Sequence, residues 1–369
     1  MTEIEVVSGD KRKRKEFVEL PYSLHRKDPY WVPPLRIAVN ELLDTRKHPF
    51  YTNAEAEFFL ARQDGQAVGR VAAIVDRNHN QFHNESAGFF GFFECIDDAG
   101  VAEALLTRAR QWVFERGASF LRGPVNPSTN YECGLLIDGF DSSPMIMMTY
   151  NPRYYPALMD RIGLRKAKDL LAYTHHAQKV DQKKIEHVAG MAGKKGVVVR
   201  PINLKDFSQE VDRVWKVYSA AWSRNWGFVP MSREEFLLMG KEMKQILKPE
   251  LVLIGEVGDR VVGFALALPD INQALKPAGG SLFPTGLLKI LYHQRLIKSL
   301  RVLALGVVEE HRASGLAAVF YATLVRNARK LGYGECEMSW ILEDNVLMNR
   351  SLKVMGATRY KTYRIYEWS

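Results

Sequence analysis

The chain has 369 residues, of which 47% are hydrophobic and 25% charged, and its formal net charge at pH 7 is +9. This composition is typical of a globular protein with more than one domain, and it excludes a disordered or fibrous chain. The apolar run 261–268 is much shorter than the roughly 18 residues that a membrane-spanning helix needs.

The cysteines, the histidines and the first residues indicate the cellular compartment and whether a metal is bound. Cys95, Cys133 and Cys336 form no CxxC pair, which predicts reduced thiols and a cytoplasmic protein. The nine histidines show no HxH or HExxH spacing, so we expect no metal site. The acidic start 1–5 has no apolar segment behind it, which argues against a signal peptide.

The positive net charge favours an anionic partner such as a phosphate group, an anionic lipid or a nucleic acid. The densest basic cluster is Lys11–Lys15, which is more typical of a solvated loop or helix start. No basic stripe interleaved with aromatic residues follows it, so we expect no nucleic acid partner.

Two stretches of the chain repeat one pattern at an offset of 194 residues. In the first, an apolar strand from Phe58 leads through the turn 64–65 to a strand that opens with Val68-Gly69. In the second, a strand from Val252 leads through the turn 258–259 to a strand that contains Val262-Gly263. An Asp-x-Asn triplet follows in both, at 76–78 and at 270–272. Matches in the same order at one offset predict an internal duplication.

Each half then continues with the same elements in chain order. The first half predicts strands at 6–7, 58–61, 68–75, 88–93 and 119–122 with a helix at 99–116; the second predicts strands at 197–199, 252–254, 261–268, 302–308, 335–341 and 362–367 with helices at 316–331 and 346–355. Alternating strands and helices predict an α/β (α+β) fold of two tandem domains, each with a mixed sheet. We expect the domains at 1–178 and 196–369, with the boundary in the polar stretch 178–195. The halves differ by insertions at 123–148 and 276–298.

The segment 303–317 is the most informative for chemistry. An apolar strand, 303–308, is followed by a loop of small residues and by a helix that begins at Leu316. The first N–H groups of a helix lack internal partners and carry partial positive charge, and small residues let a diphosphate approach them. Arg312 adds a fixed positive charge. The segment therefore predicts an anion-binding loop.

Arg312-x-x-Gly315-x-Ala317 resembles the Arg/Gln-x-x-Gly-x-Gly/Ala signature of the GNAT (Gcn5-related) acetyltransferases. The resemblance implies that acyl-CoA is a substrate, with its diphosphate on this loop and its pantetheine arm between two splayed strands. The implied binding residues are Val307, Val308, Arg312, Ala313, Ser314, Gly315, Leu316, Ala317 and Asn345. The first half has Asp97-Asp98 at this point, and two aspartates repel a diphosphate, so we expect a degenerate loop there.

The catalytic groups are less clearly marked. Many GNAT members carry a tyrosine on the last helix as general acid, whereas the sequence here has Leu352, which leaves Tyr363 or Tyr366. Glu335, Glu337 and Ser339 share one face of a strand by period two. Glu337 is central and is the first candidate for the general base. The predicted catalytic set is Glu337, Tyr363 and Asn345, and the competing bases are Glu309, Glu310, His311 and Glu343.

The stretches 91–95, 122–128, 340–345 and 360–367 make the chain similar to bacterial N-acyltransferases of the ceramide-synthase type. That resemblance implies transfer of a long acyl chain from coenzyme A to a sphingoid-type lipid amine. A non-catalytic acyl-CoA or lipid-binding protein and an N-acetyltransferase of a small soluble amine remain alternatives. The Leu-rich, basic segment 282–298 either packs over the sheet or lies on an anionic membrane, which would place the protein peripherally at the inner membrane face.

Overall fold

The computed structural model describes residues 1–181, 190 and 196–369, so most of the predicted boundary stretch lies outside the described residues. Two compact units are present. Unit 1 comprises Met1–Leu170, Ala274–Tyr292 and Lys361–Ser369, and unit 2 comprises Leu171–Gln273 and His293–Tyr360. Among the described residues, no helix combines the length and the apolar character that crossing a bilayer requires.

The main strands of unit 1 lie side by side in the order of the sequence. They are β1 Glu3–Val6, β2 Ala54–Gln63, β3 Gln66–Asp76, β4 Ala87–Cys95 and β5 Phe120–Gly123. The pairs from β1 to β4 are antiparallel, and β4 pairs parallel with β5. Three short strands follow, β6 Val125–Asn126, β7 Glu132–Cys133 and β8 Leu135–Asp138. The next strand, β9 Arg165–His176, begins in unit 1 and ends in unit 2.

Five helices accompany these strands: α1 Lys11–Leu24, α2 Arg36–Leu42, α3 Arg77–His83, α4 Ala99–Phe114 and α5 Tyr155–Ile162. The crossover from β4 to the parallel strand β5 is α4, which buries an apolar face that includes Val101 and Leu105. It ends just before Gly117, whose φ of +87° suits the left-handed conformation that closes a helix.

Unit 2 repeats this arrangement with β10 Val197–Pro201, β11 Val252–Val257, β12 Arg260–Pro269, β13 Ser299–Val307 and β14 Glu335–Leu342. The directions are the same, three antiparallel pairs and then the parallel pair of β13 with β14. The two hairpins carry a bulge at equivalent places, Ala61/Arg62 and Gly255/Glu256, again 194 residues apart. The predicted α/β fold with an internal duplication is therefore confirmed.

The remaining helices are α6 Phe207–Trp222, α7 Arg233–Lys244, α8 Asn272–Leu275, α9 Gly286–His293, α10 Leu316–Lys330 and α11 Val346–Val354, and the last strand is β15 Thr358–Trp368. In unit 2 the crossover between the parallel strands is α10, the counterpart of α4. It buries Leu316, Phe320 and Leu324 against the sheet.

The two units exchange the ends of their last strands. Residues 361–368 of β15 belong to unit 1, where they pair with β5 and β8, whereas residues 171–176 of β9 belong to unit 2. Residues 274–292, in the insertion of the second half, also belong to unit 1. The ranges 1–178 and 196–369 remain a prediction about the sequence repeats, and the compact units divide the chain differently.

The glycine of each repeated Val-Gly pair lies directly under the crossover helix. A Cβ added to Gly69 would stand 2.7 Å from Leu105 Cδ1 of α4, and one added to Gly263 would stand 2.8 Å from Leu316 Cδ2 of α10. The absence of a side chain lets both helices approach the sheet closely. In unit 2 this contact fixes the depth at which the first residue of α10 sits.

We expect Gly263→Ala to lower the free energy of unfolding by about 1–3 kcal/mol, because the new methyl group must displace Leu316 or Phe320 from a filled core. Gly334→Ala is the matched control, since a Cβ there meets only the side chain of Gln178 at 3.7 Å. Urea denaturation of both variants measures the difference. Equal stabilities of the two variants would contradict the packing argument.

Candidate functional site

The parallel strands β13 and β14 pair over only four residues and then part. Their register runs from Ser299↔Glu335 to Val302↔Met338, yet β13 continues to Val307 and β14 to Leu342. Residues 303–305 and 340–342, which follow the last pair, are half-buried. Two strands that diverge in this way offer an extended ligand both a backbone edge and apolar walls.

The loop that follows β13 lies at the surface. Glu309–Ser314 forms one 3-10 turn, and Gly315, with φ +85°, connects it to α10. Arg312 is exposed, and its Nη2 donates to the carbonyl of Ala221 at 3.3 Å. The hydroxyl of Ser314 accepts from the N–H of Leu316 at 3.2 Å. The predicted loop is therefore an accessible helix start with a guanidinium beside it, which suits a diphosphate.

The backbone groups of the two valines before this loop already have some partners within the protein. Val307 lies opposite Gly263 in the β12–β13 register. The N–H of Val308 donates to the carbonyl of Val262 at 2.9 Å, and its carbonyl accepts from the N–H of His311 at 3.0 Å. A ligand can reach Val308 only through the second lone pair of that carbonyl. The predicted role of both residues in pantetheine binding stays a prediction.

A buried polar cluster lies on β13 and β14 around Glu337. Glu337 is 0% exposed, and its Oε1 accepts from the hydroxyl of Ser339 at 2.5 Å and lies 3.4 Å from Nε of Arg301. Arg301, 2% exposed, also donates to Ser339 Oγ at 2.9 Å. The hydroxyl of Tyr360 donates to Glu337 Oε2. The buried carboxyl group of Glu337 thus has a cation and two hydroxyl groups as partners.

Tyr360 is the member of this cluster that the sequence reasoning missed. It is half-buried, whereas the other three side chains are buried, so it lies nearest to solvent. Of the residues predicted to share one face of β14, Glu337 and Ser339 belong to the cluster. Glu335 does not, because it is exposed and lies 3.6 Å from His176. The sequence offered one signal for Tyr360, namely its place on the last strand three residues before Tyr363, which was already a candidate.

The other predicted catalytic residues are not gathered at this cluster. Tyr363 belongs to unit 1, is 0% exposed and lies opposite Leu136 in the β15–β8 register. Asn345 caps α11, with its Oδ1 accepting from the N–H of Met348 at 3.1 Å. Complete burial disfavours Tyr363 as a general acid, so that role stays a prediction without structural support.

Two of the competing bases form exposed ion pairs. Glu309 lies 2.7 Å from Arg224, and Glu310 lies 3.4 Å from Arg260. Such surface pairs leave a carboxylate solvated and mobile, which is a poor setting for a positioned base. Glu337, by contrast with these two, is held in one place by several donors.

The thiol beside this cluster is not an activated nucleophile. Burial, and then the neighbouring charge of Glu337, raises the pKa of Cys336 to about 12. A thiol with so high a pKa stays protonated near neutral pH and is a weak nucleophile. Among the described residues, no group of three or more His, Cys, Asp or Glu side chains is placed to hold a metal ion.

The corresponding slot in unit 1 is filled by the chain itself. The parallel register of β4 and β5 also ends early, at Phe89↔Arg122. Beyond it, Asn126 Oδ1 accepts from the N–H of Phe92 at 2.6 Å, and the carbonyl of Val125 lies where a Cβ on Gly91 would be, 1.6 Å away. The insertion 123–148 thus places β6 against β4 beyond the end of the β4–β5 pairing.

The helix start of α4 is likewise occupied. The carboxylate of Asp98 accepts from the N–H groups of Gly100 at 2.8 Å and Val101 at 3.2 Å. The hydrogen bond from Val101, followed by that from Gln63, lowers the pKa of Asp98 below its ordinary value. The chain's own anion therefore caps α4, whereas α10 starts at a glycine without a capping carboxylate.

The chain is similar to two curated proteins over nearly its whole length. It is 35% identical to Protein YghO of Escherichia coli K12, covering 97% of this chain and 93% of the relative. It is 34% identical to the Bacterial ceramide synthase of Caulobacter vibrioides, covering 96% of this chain and 94% of the relative. No protein-family model matches the chain.

A solved structure shares the fold at much lower identity. A tandem GNAT protein from the clavulanic acid biosynthesis pathway superimposes with a TM-score of 0.58 at 12% identity, covering 100% of this chain and 98% of that chain. The tandem GNAT fold expected from the sequence is thereby confirmed.

We expect Arg301→Met to lower the free energy of unfolding by about 3–5 kcal/mol, because it leaves the buried Glu337 without its cation. Arg295→Met removes an exposed arginine and serves as the control, with an expected change below about 0.5 kcal/mol. Chemical denaturation compares the two variants. A small effect of Arg301→Met would show that Glu337 does not depend on this ion pair.

Proposed function

Because the chain belongs to the family of tandem-GNAT N-acyltransferases that includes the bacterial ceramide synthase of C. vibrioides, we propose that it transfers a long acyl chain from coenzyme A to a sphingoid-type lipid amine. The observation that carries this proposal is the contrast between the two copies. In unit 2 the parallel strands part and α10 starts without a capping carboxylate, whereas in unit 1 Asn126 bonds the parted strand β4 and Asp98 caps α4.

In this proposal the diphosphate of acyl-CoA binds the loop 312–317. The N–H groups at the start of α10 and the guanidinium of Arg312 supply donors and positive charge, and Gly315 leaves room for the phosphates. The pantetheine arm then extends along β13 between the parted strands, past Val307. This path directs the thioester toward β14, the strand that carries Glu337.

The amine must lose a proton before its nitrogen can attack the thioester carbonyl. Glu337 is fully buried, and Tyr360 is the half-buried group in contact with it. We assign the base to this pair: the hydroxyl of Tyr360 takes the proton of the ammonium group as its own proton passes to Glu337. The amine nitrogen forms the new C–N bond, the C–S bond breaks, and the departing thiolate takes a proton from the amide nitrogen as the free thiol forms.

The family relative and the apolar residues beside the parted strands support this substrate class. The relative is named for ceramide formation, in which an acyl chain joins a long-chain base. Beyond the last pair of β13 and β14 the two strands carry the half-buried apolar residues Leu303, Leu305 and Ile341. A protein that works on such amphiphiles acts at the inner membrane face, and we propose that location.

We expect Arg312→Glu to weaken binding of acyl-CoA by about tenfold to a hundredfold, because it replaces a charge-assisted contact with repulsion. Arg326→Glu makes the same charge change at an exposed position later on α10 and is the control. Titration calorimetry gives both dissociation constants. The sharper comparison uses acyl-pantetheine, which lacks the diphosphate, and there both variants should match the parent. Binding of acyl-CoA that is indifferent to Arg312→Glu would rule out this site.

We expect Glu337→Gln and Tyr360→Phe each to lower kcat by about a hundredfold or more while leaving the dissociation constant of acyl-CoA unchanged. Tyr333→Phe is the control, because Tyr333 is buried in the core of unit 2 outside the cluster. The assay measures amine-dependent release of free thiol with acyl chains from acetyl to stearoyl, and mass spectrometry identifies the product.

Full activity of Tyr360→Phe would contradict the proposed transfer of the proton through Tyr360. Acyl-CoA binding without amine-dependent thiol release would instead favour a carrier of acyl-CoA or lipid. Preference for acetyl-CoA with a small soluble amine would replace the lipid substrate and keep the reaction class.

A further inference from the structure

The insertion of the second half forms an anchored outgrowth on unit 1. Arg36 donates through Nη1 to the carbonyl of Gly279 at 3.2 Å, and its backbone N–H donates to the carbonyl of Gly280 at 3.1 Å. Lys276 Nζ donates to Ser143 Oγ at 2.8 Å and to the carbonyl of Pro29. These contacts hold the base of the segment that carries α9.

The exposed side of α9 is its apolar side. Its large side chains face solvent, with exposed fractions of 79% for Phe283, 67% for Leu288, 66% for Tyr292, 52% for Leu291 and 45% for Leu287. Gly286 is buried and Ile290 half-buried, so the helix contacts unit 1 through its other side. Residues 287, 288, 291 and 292 recur at helical spacing and form one continuous face. We call this face, with Phe283, the α9 face.

The sequence on either side of α9 carries charges of one sign. Between Asp270 and Glu309 the sequence contains no aspartate or glutamate, while it contains five lysines and arginines. Lys289, on α9 itself, is exposed, as are Arg295 and Lys298 directly after it. A second copy of this chain, whose net charge is also +9, would meet this basic segment with a net repulsive charge. An anionic surface would be attracted.

We propose that the α9 face docks on an anionic lipid bilayer, with its leucines and Phe283 in the headgroup boundary and Lys289 on lipid phosphates. An apolar helix face beside cations is the chemistry of an interfacial helix that lies in the plane of the membrane. The proposal rests on the proposed function in one respect: a lipid amine and a long acyl chain both partition into that bilayer.

The test is cosedimentation of the full chain with vesicles of phosphatidylcholine containing about 30 mol% phosphatidylglycerol. The parent should bind, and Leu288→Ser combined with Leu291→Ser should weaken its partition by at least about tenfold. Ile37→Ser removes another exposed apolar side chain of unit 1 and should bind as the parent does. Vesicles of phosphatidylcholine alone should bind the parent more weakly.

Thiol release with a soluble short-chain acyl-CoA and a soluble amine should be equal in the double variant and the parent. That measurement shows that the variant is folded, and it separates this proposal from the proposed function. Unchanged vesicle binding by the double variant would overturn the docking proposal. A second result would also overturn it: the parent does not bind vesicles and is a dimer, and the double variant is a monomer. The α9 face would then be the contact between two copies of the chain.

Discussion

The early end of the parallel pairing between β13 and β14 is the constraint on which the site in unit 2 depends. Backbone groups in a sheet must find partners, and strands that diverge leave some of them for a ligand. The divergence begins after Val302 and Met338, one residue after the buried pair Arg301 and Glu337. The same stretch of two strands therefore positions both an extended binding slot and a buried carboxylate.

The two copies differ in what satisfies the backbone groups where their parallel strands part. Both part their parallel strands and both start a crossover helix at the open end. In unit 1 the side chain of Asn126 and the carboxylate of Asp98 occupy the freed donors, so that copy needs no ligand to satisfy its backbone. In unit 2 a glycine and an exposed arginine stand at the equivalent helix start. The duplicated fold thus keeps its architecture while the starts of the two crossover helices differ in what caps them.

Much of the fold could be predicted from the sequence, because the features that repeat depend on residues close together in the chain. Hairpin turns, the Val-Gly pairs and the helix ends at Gly117 and Gly332 all follow from backbone conformation and close packing. The division of β9 and β15 between the two units could not be predicted, since the repeat pattern assigns each of these strands wholly to its own half. Tyr360 was missed for a related reason: its contact with Glu337 joins residues from two strands, and strand periodicity describes only one strand at a time.

The strand ends also bear on whether either half of the chain can fold by itself. Residues 171–176 are encoded with the first half of the chain but are part of unit 2, and residues 361–369 are encoded with the second half but are part of unit 1. Each half expressed on its own would lack a strand end that its unit requires, and would expose the sheet edge left behind. Each unit thus draws its strands from both halves of the gene, so a truncation at the repeat boundary would remove part of both units.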